Sequence, residues 1–361
     1  MSSKKYTRRD LMQKGVAGSG LVVLGSLAGC NDGGDGNGNG NGSDGSSMAG
    51  DTVPAKAEAV VSIDVEAMLN DDDLRDVGDT ALEELQQFGQ GESDLPSDVD
   101  SAIEMAREEA DLDPTGFRRG TLFMQVEESG ADEDYAGMIM ETDWSEDDLI
   151  TFLESEGDSD LEESDYSGKT IYSGADTEEG GMAVLSDGRY VIGPTAVLED
   201  VIDVVNGDAE AVESELMDLY DETTEGHVQF ATVVPEGSFE DMDSEEIEIE
   251  SLDQIEYMSG SVYKTDSDYG VETNLWAGDA ASQLKEDIEF AIDAASRLEE
   301  TSQEVKTRLE DVQVVVTDQT VTVSYEEDIE QVKTAVESYI EENLMGLLFL
   351  LAFSGGGGAS L

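Results

Sequence analysis

The sequence predicts an α+β fold of antiparallel sheets with helices packed on one face, arranged as two pseudo-repeated halves. Three observations point there. From about residue 55, short alternating apolar runs with the period of strands are interleaved with runs that carry apolar residues at helical spacing. The strand runs come mostly in pairs joined by short Gly, Asp and Ser turns, which makes hairpins rather than parallel crossovers. An order of hairpin, helix, strands and helix occurs twice, although no residue-level repeat accompanies it.

Ala57 to Val65 (AEAVVSIDV) reads as the first strand, followed by helices over Leu74 to Phe88 and Val99 to Ala110, ended by Gly89 and Pro114. Gly120 to Val126 and Tyr135 to Glu141 form a hairpin across Ser129-Gly130-Ala131-Asp132. Ser145 with Asp148 three residues on is a capping signature for a helix reaching about Glu154. Tyr166 to Tyr172 passes a tight turn at Ser167-Gly168 into a strand, Met182 to Leu185 is another, and Ser186-Asp187-Gly188 turns into Tyr190 to Ile192. Pro194 starts a helix to Val205 that Asn206-Gly207 stops, and a second acidic helix, Ala209 to Tyr220, leads to the strand His227 to Val234. In the C-terminal half, Tyr257 to Tyr263 and Gly270 to Ala277 pair, and one long helix spans Ala280 to Leu309. Val312 to Val316 then pairs with Val321 to Tyr325, and a helix from Glu327 to about Leu344 closes the fold.

Composition divides the chain into 1–29, 30–50, 51–235, 236–345 and 346–361. Lys4, Lys5, Arg8, Arg9 and Lys14 lead into an uncharged Gly/Ala-rich apolar stretch, Gly15 to Ala28. That is the length of a signal-peptide core and shorter than the roughly 20 apolar residues of a membrane span. Thr7-Arg8-Arg9-Asp10-Leu11-Met12 resembles the twin-arginine export motif, and Leu27-Ala28-Gly29-Cys30 resembles a lipobox. These resemblances imply export by the twin-arginine translocase, signalled by Arg8 and Arg9. They also imply lipidation of Cys30 and a lipid-anchored place on the extracellular face of the cell membrane. Cys30 is the sole cysteine, so stability has to come from packing rather than disulfides. Residues 30–50, rich in Gly, Asn and Ser, cannot bury apolar surface and read as a flexible tether, with a glycosylation sequon at Asn41.

The chain carries 18 basic and 87 acidic residues, a formal charge of −69. Beyond residue 29 the balance is 13 basic against 86 acidic residues, or −73. Such a charge pushes a compact state apart in dilute buffer. At about 1 M salt the Debye length falls to about 3 Å, and neighbouring carboxylates hardly sense one another. The composition therefore points to a halophile. No basic stripe exists to neutralise phosphates, which excludes nucleic acid as a partner, while weak binding of hydrated cations is expected. With Tyr166-Ser167-Gly168-Lys169-Thr170-Ile171-Tyr172 and Asp187-Gly188-Arg189-Tyr190-Val191-Ile192-Gly193 as landmarks, the order of elements resembles haloarchaeal lipoproteins with a twin-arginine signal and lipobox. That resemblance brings no active site with it.

Motifs for catalysis are missing. His227, the only histidine, stands where an apolar strand begins and reads as a surface or sheet-edge residue rather than a base. No Gly-x-Ser-x-Gly elbow or P-loop is present, and one His with one Cys does not make a zinc site. Asp158, Asp160 and Glu162 alternate as calcium-loop ligands do, but Glu163 stands where glycine is needed and Lys169 where a bidentate glutamate is needed. Asp71-Asp72-Asp73 and Asp132-Glu133-Asp134 read as solvated acidic turns. No catalytic residue, cofactor or metal ligand is assigned. The function expected is a non-catalytic interaction or envelope role, with a solute-binding lipoprotein of a transporter as the alternative. The run Leu344 to Phe353 is apolar on all sides, and both burial in the protein and contact with the membrane stay open for it.

Overall fold

The computed structural model describes residues 50–88, 96–110, 112–126, 135–156, 161–174, 180–212, 214–235, 237–239, 250–265, 268–297 and 303–334. The strands are β1 (Ala59–Asp64), β2 (Phe117–Met124), β3 (Ala136–Thr142), β4 (Leu161–Tyr166), β5 (Lys169–Gly174) and β6 (Gly181–Ser186). They continue with β7 (Arg189–Gly193), β8 (Val228–Val233), β9 (Tyr257–Lys264), β10 (Asp268–Trp276), β11 (Gln313–Thr317) and β12 (Thr320–Asp328). The helices are α1 (Val65–Asn70), α2 (Asp72–Phe88), α3 (Val99–Ala110), α4 (Glu146–Glu156), α5 (Thr195–Asn206), α6 (Ser214–Glu222), α7 (Ala281–Arg297) and α8 (Gln303–Asp311). Residues 329–334 are helical as well.

All twelve strands join one antiparallel sheet in the order β11-β12-β10-β9-β8-β1-β2-β3-β7-β6-β5-β4. The class is the α+β one expected. The sheet crosses the boundary placed at 235/236 without a break, because β8 pairs with β9 from Val228↔Val262 to Val233↔Tyr257. Outward from the central β1–β8 pair, one side runs β1-β2-β3-β7-β6 and the other β8-β9-β10-β12-β11; β5 and β4 extend the first side.

Strand alternation fixes what each face carries. Ile139 of β3 pairs with Val191 of β7, and both belong to a cluster with Val60, Phe123, Ala183 and Ala231. Into it α5 inserts Val197, Leu198, Val201 and Ile202, and α6 inserts Leu216, Met217 and Tyr220. The next pair along, Met140 and Tyr190, points to the opposite face and meets Leu149 of α4 and Met182. α7 lies on that second face too, where Leu284 packs with Val314 and Val321. The helices therefore divide between both faces, which corrects the single covered face expected. The reason is in the central strands: AGMIM in β3 and YVI in β7 are apolar at consecutive positions, so each side needs a cover.

Local chemistry sets the boundaries. Ser145 Oγ accepts from the Asp148 N–H at 3.2 Å while Asp148 Oδ2 accepts from the Ser145 N–H at 3.1 Å, a reciprocal cap that opens α4. Ser167 (φ 48°) and Gly168 (φ 81°) both sit in the left-handed region, as a two-residue hairpin turn between β4 and β5 demands. The acidic edge strand β4, LEESDY, is absent from the sequence reading because four of its six residues are exposed and it lacks an apolar repeat. α6 begins at Ser214, later than Ala209, because the preceding chain is extended: Pro54 bridges Ala211 and the Val212 N–H donates to the Val53 carbonyl. The single helix expected over Ala280 to Leu309 is replaced by α7 and α8, which pack against one another and so cannot be collinear. Glu327, placed at a helix start by the sequence reading, is a buried residue of β12.

Candidate functional site

Two places gather chemistry. The first forms where α1 gives way to α2. The Asp71 side chain accepts from the backbone N–H groups of Asp73 (3.0 Å) and Leu74 (3.3 Å), which caps α2. The sheet then adds three donors: Lys264 Nζ to Oδ1 at 2.7 Å, the Tyr269 hydroxyl to Oδ2 at 2.7 Å, and His227 Nε2 at 3.2 Å from Oδ2. Lys264 also reaches Asp73 Oδ2 at 2.7 Å, and its Nζ stands 5.2 Å from the centre of the Tyr269 ring. The Tyr269 and His227 rings stack at 6.3 Å.

Burial by itself would raise the Asp71 carboxyl, whose side chain is only 4% exposed. The hydrogen bonds from Lys264, Tyr269 and the Leu74 N–H, with the Lys264 charge, outweigh it and bring the group down to about 2. Burial and then the adjacent Asp71 carboxylate push the Tyr269 hydroxyl up. Burial would lower Lys264, but its bonds to Asp71 and Asp73 raise it. Five donors thus fill the acceptor sites of one carboxylate, leaving no lone pair to take a substrate proton. So acidic a group is also a poor base near neutral pH. The arrangement holds α2 to β8, β9 and β10, and that is the chemistry it can do.

The second place is an open groove of about 840 Å³ between α6 and the adjoining sheet. From α6 come Glu215, Asp218 and Glu222, at spacings that put them on one helical face. The floor is polar because the face of β9, β10 and β12 that turns this way carries Ser259, Asn274 and Thr322 in register. Thr322 Oγ1 donates to Asn274 Oδ1 at 2.7 Å and Asn274 Nδ2 to Glu272 Oε1 at 3.1 Å. At one end Tyr257 and Trp276 meet edge to face, ring centres 5.7 Å apart. Among the described residues lining it, none is basic, while Glu256 and Asp318 add two further carboxylates.

Cys30, Arg8, Arg9, Asn41 and the run Leu344 to Phe353 lie outside the described residues. So do Asp158, Asp160 and the Asp132-Glu133-Asp134 turn; Glu162 is exposed on edge strand β4. His227 is neither a surface nor a sheet-edge residue: it is 12% exposed and leads into β8, a strand flanked by β1 and β9. Asp71 is likewise no solvated turn residue but the centre of the network. Lys264 and Tyr269 were missed. The scarcity of cations was the available signal, since in a chain this acidic each lysine has many carboxylates to meet: Lys56, Lys264, Lys285 and Lys333 all make ion pairs.

Among the described residues no group of three or more His, Cys, Asp or Glu is placed to hold a metal ion, and no helix is long and apolar enough to cross a membrane. No protein-family model matches the chain, and no curated protein matches it. Among solved structures, crystal form III of TP0453 aligns over 80% of this chain and 98% of its own, at a TM-score of 0.43 and 8% identity. Crystal form I of the same protein aligns over 81% and 98%, at 0.42 and 11% identity. Likeness at this level carries no functional information.

Proposed function

We infer that this is an exported, lipid-anchored surface protein of a halophilic archaeon that acts by binding rather than by catalysis. The observation that carries the reading is the ordered series of Arg8-Arg9, an uncharged apolar stretch, Leu27-Ala28-Gly29-Cys30 and a tether ahead of a folded domain. The Asp71 network supports the non-catalytic part, because the sole histidine is engaged with a carboxylate that is already saturated. The test is mass spectrometry of the protein taken from membranes. A mature N-terminus at Cys30 bearing lipid, and release of Cys30→Ser from the membrane fraction, are expected. An unlipidated mature chain overturns the anchor.

A second reading, a solute-binding lipoprotein that serves a transporter, draws on the groove. Its Tyr257–Trp276 pair and hydrogen-bonding floor are convergent aromatic and polar groups of the kind that hold a small ligand. Carboxylates beside aromatic rings fit a cationic solute. Affinity capture from membranes in molar salt separates the two readings: recovery of a permease favours the second. No permease, together with Trp276 fluorescence that ignores added organic cations, favours the first.

A further inference from the structure

We propose that the apolar C-terminal segment, residues 335–353, docks as a continuation of the helix at 329–334 onto the α2–α3 hairpin, completing a three-helix layer. α2 and α3 are both strongly amphipathic, with apolar residues of α2 recurring at 74, 77, 81, 85 and 88. Yet no residue of either helix whose burial is described is buried, and none of those described residues belongs to any of the three apolar clusters. The two do hold each other: Arg75 pairs with Asp100, and the Val99 N–H donates to Asp79 Oδ1 at 2.7 Å. Amphipathic helices in water draw most of their stability from burying the apolar stripe, and Leu74, Val77, Ala81, Val99 and Ile103 are only partly buried, so the hairpin calls for a further cover.

The position of the chain beyond β12 selects the cover. β12 runs to Asp328, in register with Asp268, so it ends beside the β9–β10 turn from which Lys264 and Tyr269 reach Asp71. Helical residues 329–334 therefore begin next to the first turn of α2, and Lys333 Nζ lies 3.2 Å from Asp76 Oδ2 of that helix. From there Ile329, Val332, Val336, Tyr339 and Ile340 keep a helical stripe, and Leu344 to Phe353 extends it as unbroken apolar sequence. At about 1.5 Å per residue a helix continuing to residue 353 has ample reach to run the length of α2. The sequence reading left burial and membrane contact open for this segment; the Lys333–Asp76 contact and the partly covered hairpin select burial.

Hydrogen exchange on the full chain in molar salt tests this. In the triple variant Leu347→Asp, Leu348→Asp, Leu351→Asp, amides of α2 and α3 should exchange on the order of tenfold faster, while those of β1, β2 and β8 keep their protection. The sheet amides report whether the variant still folds. The milder Lys333→Glu, set against Asp76, should move the same α2–α3 amides in the same direction. Unchanged α2–α3 protection in the triple variant overturns the proposal. So does the finding that wild-type α2–α3 amides gain protection, and tail amides with them, only when vesicles of archaeal lipid are added, which would make the membrane the occupant.

Discussion

Tyr269 donates its hydroxyl to Asp71 Oδ2 at 2.7 Å across 198 positions of sequence, and this bond ties the start of α2 to β10, the third strand from one edge of the sheet. Asp71→Asn keeps the size of the side chain but removes the charge that Lys264 and Tyr269 answer. The expected cost is about 1.5–3 kcal/mol, the range for hydrogen bonds to a charged group. Because the folded carboxyl sits at about 2 against an ordinary 3.8, its contribution is complete above 3.8 and is lost as pH falls through 2. That displacement corresponds to roughly 2 kcal/mol. The stability gap between wild type and Asp71→Asn, followed by denaturant titration, should therefore be constant from about pH 5 to about pH 9 and close in strong acid. A gap unaffected by acid would show that the charge contributes nothing.

The same network limits stability in alkali. Tyr269 and Lys264 are both raised, so the protonated forms are the ones folding favours. Their contribution is present below the ordinary values of 10.0 and 10.5 and fades as pH climbs beyond them. Tyr269→Phe should cost about 1–2 kcal/mol at neutral pH and flatten the alkaline side of the stability profile. An alkaline limb identical to that of wild type would exclude Tyr269 as its source.

The turn between β4 and β5 offers a stabilising change. Ser167 holds φ 48°, which asparagine tolerates better, so Ser167→Asn should gain a few tenths of a kcal/mol. Gly168→Ala, at φ 81°, should lose about 1 kcal/mol. Thermal melts of the two variants in the same salt should move in opposite directions; a shared direction would contradict the left-handed pair.

Much of the fold was legible because local signals and tertiary demands agree. Asn206-Gly207 ends α5 as read, with Gly207 at φ 78° donating to the Asp203 and Val204 carbonyls. The β2–β3 and β9–β10 hairpins pair as read, each from two short strand-like runs close together in sequence. What was hidden is what only the sheet creates. Nothing local shows that β8 joins β1 to β9, that Asp71 is buried, or that the Ser, Asn and Thr positions of β9, β10 and β12 align into a groove floor. Strand order is a long-range property, and a polar face reads from sequence as ordinary solvent exposure.

Because the sheet is continuous, distant core changes should act on one transition. Leu198 in the α5 cluster and Leu284 in the α7 cluster are both fully buried, on opposite faces and on either side of the β8–β9 pair. Each change to alanine should cost about 2–5 kcal/mol. Trp144 packs in the α4 cluster and Trp276 lines the groove, so Trp144→Phe and Trp276→Phe backgrounds report on the two sides separately. Both probes should shift by the same amount in either leucine variant. Transitions that separate would mean the halves unfold independently despite the shared strands.

Salt should govern the midpoint of that transition. The acidic excess, −73 beyond residue 29, is spread through residues 30–345, and only a small share of it meets a cation: Lys56, Arg75, Arg107 and the others that form pairs each neutralise one or two carboxylates. The rest repel at about a Debye length, which shrinks from about 10 Å at 0.1 M to about 3 Å at 1 M. Melting temperature should climb steeply over that range and level off above it, with KCl and NaCl nearly interchangeable if screening is the cause. Asp71 is buried and its bonds are screened far less, so the penalty for Asp71→Asn should hardly change with salt. A penalty that fell away in parallel with the charge repulsion would place Asp71 among the surface carboxylates and contradict its role as the pin between α2 and the sheet.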